Sequence, residues 1–291
     1  QYHMDEPQSN LSSVPLWFLA QMAAEQVTVV LSGEGADEIF GGYAWYEDNP
    51  SVAKYKRMVP FGVRRALGKA AKHMPYFKGH NFLMKGAEMA EEYFVGQALV
   101  WPEREVSSVL RPEYDKGEGA FELAAPIYAR VSDKSELIRK QYLDMNMWLP
   151  GDILLKADKM CMAHSLELRV PFLDREMLAL ATSIPQRYRS GKEQTKIALR
   201  ATAMEQLPES VAKRKKLGFP VPLNDWLKQD KYYNMVREKF EGPVAAQFFN
   251  TPALLKLLEG HKNGTAQPGA MTKIWSFYSF ILWYELYFVQ R

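Results

Sequence analysis

The spacing of apolar residues changes twice near the start of the chain. Leu16, Leu19, Ala20 and Ala23 recur at helical intervals behind Ser12 and Ser13, which suit an N-cap, and Pro15 is tolerated in a first turn. This predicts a helix over 13–25. Val27-Thr28-Val29-Val30-Leu31 follows, short and β-branched, and predicts a buried strand of the parallel-sheet kind. The strand runs into Ser32-Gly33-Glu34-Gly35-Ala36-Asp37-Glu38. Its glycines allow a sharp turn that exposes backbone N–H groups. Ala36 to Phe40 can start a helix that Gly41-Gly42 stops.

Farther on, helical spacing runs through the basic stretch 54–85, for example at Val63, Leu67 and Ala71, and through 88–99 and 119–130, with Pro102 and Pro112 as punctuation. Pro150-Gly151 is a breaker, and Asp152 is placed to cap the helix after it. On that helix Asp152, Lys156 and Lys159 fall on one face. Asp174 predicts the N-cap of a helix over 175–183, and Gly191 to Arg200 reads as a loop entering another helix. Ile274 to Val289 is the most apolar segment. It is shorter than the ~20 residues of a membrane span, and Glu285 interrupts it, so a buried C-terminal helix is expected.

This helix–strand pair is the only clear α/β unit. The expected fold is therefore mainly α: a helical body with a remnant of a parallel α/β nucleotide-binding layer. Residues 1–291 form one partial domain, with 1–45 ending the α/β layer and 46–291 helical. The free edge of the strand predicts self-association, with a homodimer as one outcome.

Composition narrows the class. Hydrophobic content of 47% and charged content of 24% are ordinary for a globular protein, and a net charge of +3 does not argue for nucleic acid. The single cysteine, Cys161, excludes an internal disulfide and points to a reducing compartment, so a cytoplasmic location is expected. The chain opens on Gln1-Tyr2-His3-Met4 without an initiator methionine, which suggests a fragment of a longer protein.

Three stretches carry candidate chemistry. A nest of N–H groups after a strand suits phosphate. Glu34, Asp37 and Glu38 would repel bare phosphate, which calls for Mg²⁺ between them. The plain alternative is a Gly-rich turn with solvated acids. Asp152 with Lys156 and Lys159 suits an acidic substrate or pyrophosphate; the alternative is a capped helix with a surface ion pair. Lys213-Arg214-Lys215-Lys216, followed by Leu217-Gly218, makes a cationic loop able to close over pyrophosphate. It also reads as a solvated basic turn or a nucleic-acid patch. The stretch 54–85 admits a membrane-surface or RNA-binding helix, but a solvated helix face explains it equally. The expectation is no nucleic acid and no membrane.

Taken together, Ser32 to Glu38 with Phe40-Gly41-Gly42-Tyr43 resembles the second nucleotide motif of glutamine-hydrolysing asparagine synthetases. The resemblance continues in Tyr2–Pro7, Leu149–Asp174, Thr195–Arg200 and Arg214–Pro222, in the family's order. Members join a glutaminase domain to an ATP-pyrophosphatase domain, which adenylates aspartate and transfers ammonia to give asparagine, AMP and pyrophosphate. The resemblance implies ATP and Mg²⁺ as cofactors, and aspartate and a glutaminase domain as partners. It implies that Ser32, Gly33 and Gly35 bind nucleotide and that Asp37 meets magnesium. Glu34 would serve incoming ammonia, Lys216 would stabilise the pyrophosphate-forming transition state, and Asp152 lies in a catalytic segment. The Glu167–Arg169 pair is expected to be structural. The family's Ser-Gly-Gly-x-Asp-Ser loop and N-terminal cysteine do not occur, so this chain alone is expected to be inactive. Two rivals remain: a related synthetase or amidotransferase acting on another carboxylic acid, and a non-catalytic helical binding module.

Overall fold

The structure, a computed structural model, describes residues 1–74, 77–96, 99–101, 103–191, 194–214 and 218–289. Helix α1 (Ser13–Ala24) leads into strand β1 (Val29–Leu31), and α2 (Ala36–Phe40) follows the loop. Then come α3 (Pro50–Met58), α4 (Phe61–Lys72), α5 (His80–Ala87), α6 (Glu103–Val106), α7 (Ala120–Ala129) and α8 (Glu136–Asn146). A π-helical turn at Leu149–Leu154 runs into α9 (Leu155–Met162), then β2 (Glu167–Arg169), α10 (Arg175–Ser183), α11 (Ile197–Gln206) and α12 (Glu209–Ala212). The rest is helical: α13 (Leu223–Trp226), α14 (Asp230–Phe240), α15 (Pro243–Phe248), α16 (Thr251–Lys262) and α17 (Ala270–Tyr284).

The body is mainly helical, and the α/β layer is a remnant. Strand β1 pairs with β2 in parallel, with Val30 opposite Leu168. Ala20, Cys161 and Leu166 make a small core beneath this pair, with Ala23, Val30 and Leu168 against it. The strand is parallel as expected, yet it is not buried. Val29 is 47% exposed and Leu31 75%. A two-stranded sheet covered by α1 and α9 hides only alternate side chains, so the β-branched run looks inward at Val30 alone. The largest core lies at the other end, where Phe240, Leu254, Leu258, Ile274 and Ile281 are buried among α14 to α17.

Several local expectations change. Ser12 makes no cap bond; its hydroxyl donates to Asn10 Oδ1 (2.6 Å). Asp174 does cap α10, accepting from the N–H groups of Glu176 and Met177. Among its described residues, the stretch expected as a helix over 88–99 holds only a tight 3₁₀ turn at Ala90–Glu92. Phe94 and Val95 leave helical spacing there to enter the core around Tyr46 and Leu143. Helix α17 continues as a π turn through Val289 and is buried on one face: Ile274 and Ile281 are inside, while Phe288 and Val289 are exposed.

Candidate functional site

The loop between β1 and α2 is tied down from both sides. The Ser32 N–H donates to the Arg169 carbonyl (2.8 Å), extending the sheet by one bond. The Glu34 N–H reaches the Ser32 hydroxyl at 3.4 Å, and the Ala36 N–H reaches the Gly33 carbonyl at 3.4 Å. The Gly33 and Gly35 N–H groups have no partner among the described residues. Gly33 is exposed, and a Cβ there would meet nothing within 4 Å. Gly35 has φ +86°, and a Cβ would lie 2.3 Å from Leu173 Cδ2. Its requirement for glycine thus comes from packing as well as from backbone conformation. A Cβ on Gly42 would sit 1.8 Å from Asp37 Oδ1, so this glycine leaves room for the carboxylate.

The three acids of the loop part company. Glu38 is buried and accepts from the Tyr43 hydroxyl (2.6 Å), while Gln141 donates to its backbone carbonyl (2.7 Å). Burial first, and the Glu38 charge second, push the Tyr43 phenol far above its ordinary pKa. Glu38 therefore holds the loop to the body rather than facing a ligand. Asp37 is mostly buried and pairs with Lys196 Nζ at 2.9 Å. Lys196 sits at φ +54° just before α11, a left-handed conformation that is strained for a lysine.

Glu34 lies 4.0 Å from Lys156 Nζ. Lys156 is almost wholly buried and also donates to the Ser12 hydroxyl (3.2 Å). One turn earlier is Asp152, which accepts from the Asn10 amide. It does not cap a helix. The π turn places it inside the helical run, four residues before Lys156. Such π turns recur at functional sites. Burial pushes the Asp152 carboxyl up to about 6, and Glu34 adds to that, while Asn10 and Lys156 oppose it. Lys159 leaves the expected face and pairs with Asp5. Glu167 and Arg169 pair with each other at 2.5 Å, both exposed.

Two open cavities flank this centre rather than enclose it. One, of about 980 Å³, is lined by Asp48, Thr195, Arg200, Met204 and Lys213. The other, of about 530 Å³, is lined by Asn10, Trp148, Asp152 and Trp275. Arg200 donates to the carbonyls of Thr195 (3.0 Å), Ala212 (2.9 Å) and Arg214 (2.9 Å). It thereby ties the start of the cationic loop to the segment that carries Lys196. Lys216, with Lys215 and Leu217, lies outside the described residues, as do Pro102, Lys192 and Glu193.

The structure thus brings Glu34, Asp152 and Lys156 together, and Asp37 with Lys196. Asn10 and Lys196 were not singled out from the sequence, and Ser12 only as a helix cap. Lys196 had a signal, since it stands in the Thr195–Arg200 stretch. Among the described residues, no group of three or more His, Cys, Asp or Glu side chains converges as a metal cage. The residues fit a magnesium ion carried by a nucleotide, which needs only one or two protein carboxylates, better than a caged ion. No helix among the described residues is long and apolar enough to cross a membrane.

The model of the asparagine synthase family matches residues 1–285. Glutamine-hydrolyzing asparagine synthetase 1 of Bacillus subtilis is 36% identical over 291 residues, which cover all of this chain and 45% of that protein. The putative glutamine-hydrolyzing asparagine synthetase of Mycobacterium tuberculosis is 36% identical over 290 residues, covering 98% of this chain and 43% of that protein. For the Cricetulus griseus synthetase the identity is 34% over 164 residues, half of this chain and 27% of that protein. The chain spans less than half the length of the first two relatives.

Proposed function

The chain belongs to the asparagine synthase family, and on that premise we propose that it is the synthetase part of an AMP-forming, amide-making ligase acting on aspartate. The observation that supports this reading most is the cluster of Glu34, Asp152 and Lys156 at the carboxyl end of β1, next to the open N–H groups of Gly33 and Gly35. Ligands of open α/β sheets bind at that end of the strands.

In the proposed reaction a carboxylate oxygen of aspartate attacks the α-phosphorus of ATP. The bond from that phosphorus to the pyrophosphate oxygen breaks. Ammonia then attacks the acyl carbon, and AMP leaves with the electron pair of the broken acyl–oxygen bond. Two anions must meet in the first step, so cations do most of the work. Asp37 is the residue that would hold the Mg²⁺ accompanying ATP, and the ion would supply charge screening for the phosphates. Lys196 holds Asp37 in place. Lys156 supplies positive charge beside the acyl centre, 4.0 Å from Glu34. Glu34 is half-exposed and only loosely paired, so it is free to take a proton from the attacking nitrogen. Lys216 completes the account as the cation on the pyrophosphate side. Ser32 and Gly33 meet the nucleotide.

The whole-protein reaction further requires a glutaminase to release ammonia and a second phosphate loop; this chain alone is expected to be inactive. The test is aspartate-dependent ATP–pyrophosphate exchange, run on the chain alone and on a longer protein that carries it with both parts. Exchange by the longer protein alone supports the reading. Turnover with another carboxylic acid in place of aspartate moves the assignment to a related synthetase.

A further inference from the structure

Residues 49–87 contain nine lysines and arginines and no aspartate or glutamate, which leaves 28 cations against 34 acids in the rest of the chain. The catalytic account uses none of them. From the sequence, Val63, Leu67 and Ala71 looked like one apolar stripe on a solvated basic helix. The structure separates them. Ala71 is buried, whereas Val63 is 51% exposed and Leu67 43%.

Helix α4 packs on α5 through Arg64, Gly68 and Ala71. Gly68 comes so close that an added Cβ would lie 2.3 Å from the Ala87 Cβ. Arg64 points into this junction and donates to the carbonyls of Val59 (2.9 Å) and Gly86. Val63, Ala66, Leu67 and Ala70 fall at i, i+3, i+4 and i+7 on a neighbouring side of the helix, all exposed, and Met74, also exposed, follows just past its end. Met58, 67% exposed, prolongs the patch at the end of α3. A surface helix ordinarily turns its apolar stripe inward and its charges outward. Here the arginine goes in and the stripe comes out. Lys54, Arg57 and Lys69 are exposed on the same helices, and no acid among the described residues pairs with them.

We propose that α3 and α4 form a docking face for an anionic phospholipid surface, with Val63, Leu67 and Met74 entering the acyl boundary and Lys54, Arg57 and Lys69 meeting the headgroups. Lys56 is paired with Asp48 and Glu136 and Arg65 with Glu92, so the charge that matches an anionic layer is that of the exposed Lys54, Arg57 and Lys69, and each cation near such a surface adds to binding. The aliphatic stripe argues for lipid over RNA, whose single strands are held by stacked aromatic rings. This is attachment to a surface, not passage through it.

The test is sedimentation of the chain with vesicles of phosphatidylcholine, and of phosphatidylcholine with phosphatidylglycerol. Circular dichroism checks that each variant is folded. The chain is expected to sediment with the anionic vesicles only, and less as salt rises. Val63→Asp with Leu67→Asp, and separately Lys54→Glu with Arg57→Glu, are each expected to weaken binding at least about tenfold. Failure to sediment with anionic vesicles overturns the proposal. So does binding that survives Val63→Asp with Leu67→Asp, which would mark a purely electrostatic patch. Binding of RNA that vesicles fail to displace would assign the face to nucleic acid instead.

Discussion

Asp37 and Glu34, two acids of one loop, are held in different ways. Asp37 sits 2.9 Å from Lys196, in a direct pair between two mostly buried groups. Glu34 stands 4.0 Å from Lys156, which is nearly buried and shared with Ser12 and the neighbourhood of Asp152. The first arrangement fixes a charge. The second leaves a carboxylate available while keeping its counter-charge in the protein. A reaction that must bind magnesium-laden phosphate and also move a proton needs one of each.

The largest expected effect separates the two lysines. Lys156→Ala leaves Glu34 and Asp152 without their shared cation in a partly dry site, at about 3 kcal/mol of stability. Lys196→Ala removes a lysine that is less buried than Lys156 and costs about 1 kcal/mol. Urea unfolding measures both, and the reverse order would break the comparison.

Next come the glycines. Gly42→Ala drives a methyl into Asp37 and is expected to cost about 2 kcal/mol. Gly33→Ala meets open space and is expected to change stability by less than about 0.5 kcal/mol. If Gly33→Ala weakens nucleotide binding all the same, the effect comes from the ligand's approach and not from folding.

The pH dependence of Asp152 sharpens the Glu34 side. Its carboxyl rises from 3.8 to about 6 in the folded chain. Between those values the folded state keeps a proton that the unfolded state has lost. Stability from this group therefore falls as pH rises from about 4 to about 6 and is level above, a loss of up to about 3 kcal/mol. Asp152→Asn cannot ionise. The stability difference between wild type and variant is expected to change across that window, and a constant difference would contradict the burial argument. The smallest effect belongs to Glu167→Ala. Its partner Arg169 is as exposed as it is, so the melting temperature should move by no more than about 1 °C.

Local features were the legible ones. The helix over 13–25, the strand, the Gly41-Gly42 stop and the Asp174 cap all follow from neighbours within a few residues. The direction of Glu38 does not, because it depends on Tyr43 and on Gln141 of α8. The Lys156–Glu34 and Lys196–Asp37 meetings join residues more than a hundred positions apart, and no spacing rule reaches that far. Asp152 was misread as a cap because a π turn cannot be seen in a pattern that assumes the α-helical period. The exposure of Val29 and Leu31 was hidden for a related reason. A β-branched run states a preference for strand but not how many strands cover it.

The central claim is that the Glu34 side serves the amide-forming step and the phosphate side serves adenylation. The direct measurement is ATP–pyrophosphate exchange with aspartate, alongside asparagine formation, on a longer protein that carries this chain with a glutaminase and a second phosphate loop. Wild type, Glu34→Gln and Lys216→Ala are compared. The account predicts aspartate-dependent exchange that falls by about 10²–10³ in Lys216→Ala. In Glu34→Gln, exchange should persist while asparagine formation collapses. Exchange that needs no aspartate, or that is lost equally in both variants, would contradict it.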